Sequence, residues 1–238
     1  MEKTSENQLK HRPVGDMKLL LEDIMNRGLK LVHALDVGAN LSHWSRLMKS
    51  VSPDVKIYMI EPLPEMESAL KNFCKDFPDS KYFLAGAGSK IENHFITTYH
   101  DDPAGATCLV GENEYLKSVN KQRSIPIITI DSLIEKGEIE IPEIVKLDIQ
   151  GFELEALKGA KHLFGKTEVF ILETSLFEYT KGTPLFSEVV IFMAERDYEI
   201  YDFPGFLRRP YDGALGQLDV CFTKKFGILR DSNVWFKK

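Results

Sequence analysis

Cysteine is scarce in this chain. Cys74, Cys108 and Cys221 are the three in 238 residues. They are odd in number and widely spaced, which excludes a disulfide framework, and no C-x-x-C pair offers metal-ligand spacing. Each is read as a buried free thiol in a reducing compartment, so a cytoplasmic location is expected. Long apolar runs are also missing. The longest, Val189 to Ala194, falls far short of a membrane span. The polar start Met1-Glu2-Lys3-Thr4-Ser5-Glu6-Asn7-Gln8 has no apolar segment of signal-peptide type. Positive charge is not in excess: Lys+Arg 30 against Asp+Glu 36 leaves −6, so no sequence-level electrostatic case exists for nucleic acid or an anionic membrane. The phosphate-binding fingerprint G-x-G-x-x-G is absent, and no Tyr has a Lys four residues on. An NAD-dependent sugar oxidoreductase or epimerase would call for both.

What is present is an ordinary globular composition, 43% apolar and 28% charged, with enough length for a real core. The first dozen residues are polar. Met17, Leu20, Leu21, Ile24 and Met25 have helical spacing and Gly28 stops the helix, so residues 1–28 are set apart as a polar segment and helix, and 29–238 as the main domain. From there strands and helices alternate. Strands are expected at Leu31–Val37, Lys56–Ile60, Lys81–Ala85, Glu143–Leu147 and Glu168–Glu173, with helices at Leu41–Val51, Met66–Phe77, Glu153–Phe164 and Phe186–Glu195. Between them, Asn93–Tyr99 is read as a short edge strand and 100–107 as loop. Ile125–Ile130 is placed at an edge because of Pro126. Asp131 is expected to cap a short helix. Tyr198–Phe203 and Leu218–Thr223 have no helix-length segment between them and form an antiparallel hairpin at the sheet edge. The fold class is therefore α/β: a mostly parallel, doubly wound, Rossmann-like sheet with helices on both faces and a C-terminal hairpin.

In such a sheet the ligand binds at the carboxyl ends of the strands, where the winding reverses. After the first strand comes Asp36-Val37-Gly38-Ala39-Asn40, where Gly38 lets the backbone approach a ligand closely. An acid at the strand end points away from a pyrophosphate and towards a cationic or hydroxyl-bearing group. After the second strand comes Glu61-Pro62, and an acid there can accept two hydrogen bonds from a ribose diol. A glycine turn, a carboxylate and a ribose-reading acid suit S-adenosylmethionine, which has an ammonium, a carboxylate, a ribose and a sulfonium but no phosphate. The third segment is Lys146-Leu147-Asp148-Ile149-Gln150-Gly151-Phe152-Glu153, where the fourth main strand meets its helix.

That segment, continued through Leu154-Glu155-Ala156-Leu157-Lys158-Gly159-Ala160, resembles the signature of the FkbM family of S-adenosylmethionine-dependent methyltransferases. Leu35–Asn40, Ile60-Glu61-Pro62, Thr129–Leu133, Leu172-Glu173 and Gln217–Phe222 extend the resemblance from about Leu35 to Thr223. It implies a seven-stranded class I methyltransferase core and O-methylation of a hydroxyl on a carbohydrate or a glycosylated or lipid-linked small molecule. A non-sugar secondary metabolite as acceptor, or a catalytically silent cofactor-binding module, are the alternatives. A nucleic-acid methyltransferase would offer a [DN]-P-P-[YF] segment where this chain has Asp148-Ile149-Gln150-Gly151. Three positions depart from the family pattern. Ser42 stands where a glycine is common, so the turn must avoid positive φ or carry strain. Gln150 stands where many members have Glu, which removes a carboxylate as base or metal ligand. Asp197 replaces the glycine before Tyr198, and Asp tolerates left-handed geometry.

The cofactor-binding candidates are Asp36, Gly38, Ala39, Asn40, Ser42, Glu61, Pro62, Ala87 and Asp148. The catalytic candidates are Asp148, Glu173 and His100, with Asp148 best placed to hold the acceptor or take its proton. Asp148 with Glu153 or Glu173 could instead bind a divalent cation; the sequence leaves this open. Glu153 also starts a helix, where the dipole favours a carboxylate anyway. His33 and Trp44 are read as packing residues. Arg208-Arg209, in the hairpin connection, is read as either a surface pair or a site for an anionic acceptor. The acceptor is a small molecule or glycan, with no nucleic acid and no transmembrane segment, and the oligomeric state is not readable.

Overall fold

The computed structural model describes residues 13–99 and 102–235. Helix α1 (Met17–Asn26) precedes the alternation β1 (His33–Val37), α2 (His43–Val51), β2 (Lys56–Ile60), α3 (Glu67–Asp76), β3 (Lys81–Phe83). The chain then forms β4 (Gly86–Ala87), β5 (Glu92–Tyr99), β6 (Asp102–Thr107), α4 (Glu114–Ser118) and β7 (Gln122–Ile128). It resumes with α5 (Ile130–Glu135), β8 (Ile144–Leu147), α6 (Glu153–Lys158), β9 (Val169–Ser175), α7 (Phe186–Ala194), β10 (Tyr198–Arg208) and β11 (Leu215–Lys224). Among the described residues, no helix is long and apolar enough to cross a membrane.

The main sheet has seven strands in the order β10-β11-β9-β8-β1-β2-β3. The five strands from β9 to β3 are parallel, and β11 pairs antiparallel with both β9 and β10. From β1 the winding goes to β2 and β3 on one side and to β8 and β9 on the other, so the switch point lies between β1 and β8. Alternate residues of each strand feed opposite faces. Leu35, Val37, Tyr58, Ile60, Val145 and Leu147 enter a core that also holds Ala156, Leu157 and Val189 from α6 and α7. Ala34, Ile57, Met59, Ile144 and Ile171 enter the other, against α1, α2 and α3. Leu20, Leu21 and Ile24 of α1 lie fully within that second core, and Asp16 caps the helix by accepting from Leu19 N at 3.0 Å.

A second sheet, β4-β7-β5-β6, was not expected. Residues 102–107, read as loop from their Pro and Gly, form β6, which pairs antiparallel with β5 across a register shift. As the terminal strand of its sheet, β6 tolerates those residues. β5 is consequently interior, between β7 and β6. β7 is interior too: β4 pairs only with Ile127 and Ile128, so that ladder stops short of Pro126. Two helix readings also change. Thr129, not Asp131, caps α5 by accepting from Ser132 N, while Asp131 accepts from the amides of Lys161 and His162. The helix expected to run to Phe164 ends at Lys158 and resumes as a single 3-10 turn, Lys161–Leu163. At the break, a Cβ on Gly159 would lie 2.1 Å from the Gly88 carbonyl oxygen, so backbone packs directly on backbone.

Candidate active site

At the carboxyl end of β1 the chain turns through three left-handed residues, Gly38 (φ 82°), Asn40 (φ 46°) and Ser42 (φ 61°). Gly38 has a second constraint: a Cβ there would sit 2.0 Å from the Asp148 carbonyl oxygen. The turn is therefore pressed against the end of β8, and only glycine fits. Its backbone is tied down by Gly38 N and Ala39 N donating to Ile60 O at 2.9 and 3.2 Å, and by Asp148 N donating to Val37 O at 3.0 Å. Ser42 takes the strained option: it is buried, left-handed and makes no side-chain cap, its Oγ donating to Leu41 O at 2.6 Å. Asp197 likewise adopts φ 60° before Tyr198.

Asp36 is buried. Ser45 Oγ donates to its Oδ2 at 2.6 Å, whereas Oδ1 has no hydrogen-bond partner. Burial pushes its carboxyl above the usual range, opposed by the Lys146 ammonium. Glu61, also buried, accepts from Asn40 N at 2.8 Å on Oε2 and from Leu63 N at 2.9 Å on Oε1. It thus clamps the turn after β1 to the turn after β2, and each oxygen keeps one further acceptor position. Burial raises its pKa and the two backbone bonds work against that rise.

At the end of β8, Lys146 is buried and its Nζ donates to Asp148 Oδ2 at 2.8 Å. Burial alone would lower this ammonium, but the charges of Asp148, Asp36 and Asp219 outweigh it and hold it above the ordinary lysine value. Gln150 is left-handed (φ 53°) and is followed by Gly151 (φ 94°). Its Nε2 donates to Asp148 Oδ1 at 3.3 Å and to Glu173 Oε2 at 2.9 Å, and its carbonyl accepts from Thr107 Oγ1 at 2.8 Å. Gln217 Nε2 donates to the same Glu173 oxygen at 3.1 Å. Burial, and then the Asp148 and Glu153 charges, push Glu173 well above the usual carboxylate range. A non-glycine residue held left-handed is tolerated where its surroundings over-determine it, and such positions cluster at functional sites.

These pieces meet in a narrow cleft of about 540 Å³, its open side included. Val37, Ile60, Leu63 and Phe152 give it apolar walls, and Ile96 of β5 and Cys108, just after β6, close it. Of the candidates, Gly38, Asn40, Glu61, Pro62, Ala87 and Asp148 line it. Asp36, Ala39 and Ser42 sit behind the lining as buried residues of the turn. Glu173 approaches through Gln150, and His100 lies outside the described residues. Glu153 turns into the backbone: its Oε1 accepts from Ile149 N at 2.9 Å and Gly151 N at 3.2 Å, and burial pushes it up to about 7. An ammonium already occupies Asp148 Oδ2, and no group of three or more His, Cys, Asp or Glu suited to a metal occurs among the described residues. His33 stacks on Tyr58 and Trp44 is core, as expected. The sequence reading missed Lys146, Gln150 as a donor, and the second-sheet wall. Lys146 was detectable: in a strand, residues two apart share a face, which aligns it with Asp148.

Comparison with known proteins agrees with this architecture. A model of the methyltransferase FkbM domain matches residues 36–200. A curated hexuronic acid methyltransferase, AglP of Haloferax volcanii, is 25% identical over 142 residues, covering 58% of this chain and 54% of its own. The chain thus spans about half the length of that relative. The O-methyltransferase TomG of Streptomyces achromogenes, solved with its methyl donor, is 9% identical with a TM-score of 0.50, covering 87% of this chain and 79% of its own, and shares the fold. A methyltransferase FkbM from Methylobacillus flagellatus KT is 19% identical, with a TM-score of 0.49 over 79% of this chain and 43% of its own.

Proposed function

This chain belongs to the FkbM methyltransferase family, and from that premise we propose that it transfers a methyl group from S-adenosylmethionine to a hydroxyl of a carbohydrate or of a glycosylated or lipid-linked small molecule. The observation that carries the reading is the split character of the cleft. One end is a glycine turn with buried acids and no phosphate fingerprint, and the other a partly exposed acid, Asp148, oriented by two side-chain donors. The residues fit the cofactor. Asp36 Oδ1 is buried without a partner, Glu61 keeps acceptor capacity on both oxygens, and the walls are apolar enough for an adenine ring. Gly38, Asn40, Glu61 and Ala87 would hold it, with Asp36 fixing the turn from behind. The relative named for a hexuronic acid supports a sugar-derived acceptor.

When bound, S-adenosylmethionine supplies a methyl group activated by its sulfonium. The chain's own task is alignment and proton acceptance. Asp148 is held by Lys146 at Oδ2, which leaves Oδ1 facing the weaker Gln150 contact and free to receive the acceptor's hydroxyl proton. A carboxylate is a weak base for an alcohol, so that proton moves late, as the acceptor oxygen becomes positively charged. Incubation with methyl-labelled cofactor and a panel of hexosides, deoxyhexosides and hexuronosides tests the proposal. Label is expected in a glycoside. Cofactor binding without transfer to any member of the panel would favour the silent binding module.

A further inference from the structure

A second cavity lies beyond Gln150, between the β10–β11 hairpin tip, the segment after β9 and the β5–β6 edge, with a volume of about 1140 Å³ including its open mouth. Gln150 lines both spaces, so the cavity opens beside Asp148 and Glu173. We propose that it is the acceptor pocket and that it takes a sugar carrying a carboxylate, read by Arg208; the proposal rests on the methyltransferase reading above.

Its lining combines tyrosine rings, Tyr99 and Tyr179, with the hydroxyls of Ser175 and Thr180 and the amide of Gln217. Apolar ring faces interleaved with hydroxyl and amide groups match a pyranose, which has C–H faces and hydroxyl edges. Charge decides the class. In a chain of net −6, the charged side chains among the described residues of this lining are two arginines, with no acid. Arg209 is already matched: its Nε donates to Asp212 Oδ1 at 2.7 Å and its guanidinium lies 3.9 Å above the Phe177 ring centre. Arg208 donates from Nη1 to Gly213 O at 2.9 Å, a neutral partner, and no ion pair forms on it among the described residues. Its remaining donors form a fork suited to a carboxylate. One unmatched cation suits a monoanion better than a phosphate dianion. With the carboxylate at the rim, the rest of the ring extends towards Gln150.

The test is calorimetric titration of the full chain, saturated with S-adenosylhomocysteine, using methyl β-glucuronide, methyl β-glucoside and glucose 6-phosphate. The glucuronide should bind about tenfold more tightly than the glucoside, and also more tightly than the phosphate ester. Arg208→Gln should cut the glucuronide preference to within about twofold, and Arg208→Lys should keep part of it. Both variants should bind S-adenosylhomocysteine as the wild type does, which reports that they fold. Equal binding of glucuronide and glucoside, preference for the phosphate, no binding of any glycoside, or a preference that survives Arg208→Gln would each overturn the proposal. Failure to bind S-adenosylhomocysteine would instead strike the methyltransferase reading beneath it.

Discussion

Glu61 at one end of the cleft and Asp148 at the other are held by different means. At the β1–β2 end, Glu61 is gripped by two backbone amides, and Asp36 by one serine hydroxyl beside a turn that only glycine allows. At the β8–β9 end, Asp148 and Glu173 are held by side chains: the Lys146 ammonium and the amides of Gln150 and Gln217. An acid held by backbone amides, as Glu61 is, is part of the fold and pre-organises a binding surface. Side-chain-held acids keep their orientation only as long as their partners keep theirs, and they suit a group that must take up a proton. On this contrast we propose that the first end supplies affinity and the second the chemistry.

The largest effect should come from the group that joins the two ends. Lys146 lies among Asp148, Asp36 and Asp219. Lys146→Met leaves buried carboxylates uncompensated and should cost about 3–5 kcal/mol in denaturant unfolding. A loss under ~1 kcal/mol would mean that the two ends are not electrostatically joined. Next, Asp148→Asn should lower turnover by about 10²-fold or more while leaving S-adenosylhomocysteine affinity near normal. Chelation by EDTA should leave wild-type turnover unchanged, because Lys146 sits where a cation would.

Glu61→Ala should do the opposite, weakening S-adenosylhomocysteine binding by about 1.5–3 kcal/mol. Glu61→Gln should lose less, since one acceptor oxygen remains, and a normal affinity in the alanine variant would erase the distinction between the ends. The smallest effect is a pH slope. Glu153 is pushed up to about 7 by burial, so the folded state binds its proton more tightly than the unfolded chain does. Stability therefore falls as pH rises from the ordinary glutamate range to about 7, and levels off above it. Asp36, Glu61, Glu173 and Asp219 are shifted in the same direction. Glu153→Gln keeps the Oε1 acceptor that both backbone amides use, and should flatten the fall in melting temperature between about pH 5 and 8.

The main sheet was legible because its strands are local apolar runs closed by helix stops: Lys56–Ile60 reads the same in sequence and structure. The second sheet was not, because its strands exist only through distant pairing. Gly86–Ala87 is two residues long, and Asp102–Thr107 carries the Pro and Gly of a turn. The site divides the same way. Asp36, Gly38, Glu61 and Asp148 end apolar strands, and position alone singled them out. Ile96 and Cys108 reach the cleft only because the second sheet folds beside it, and the donor role of Gln150 depends on a left-handed backbone that local sequence does not announce.

Whether the cleft is built for S-adenosylmethionine is read by calorimetric titration of S-adenosylhomocysteine, with NAD in parallel, into the wild-type chain. S-adenosylhomocysteine should bind in the micromolar range, roughly −7 to −8 kcal/mol, and NAD not at all, since the turn at Gly38 has no phosphate cradle. Binding of NAD without S-adenosylhomocysteine would contradict this.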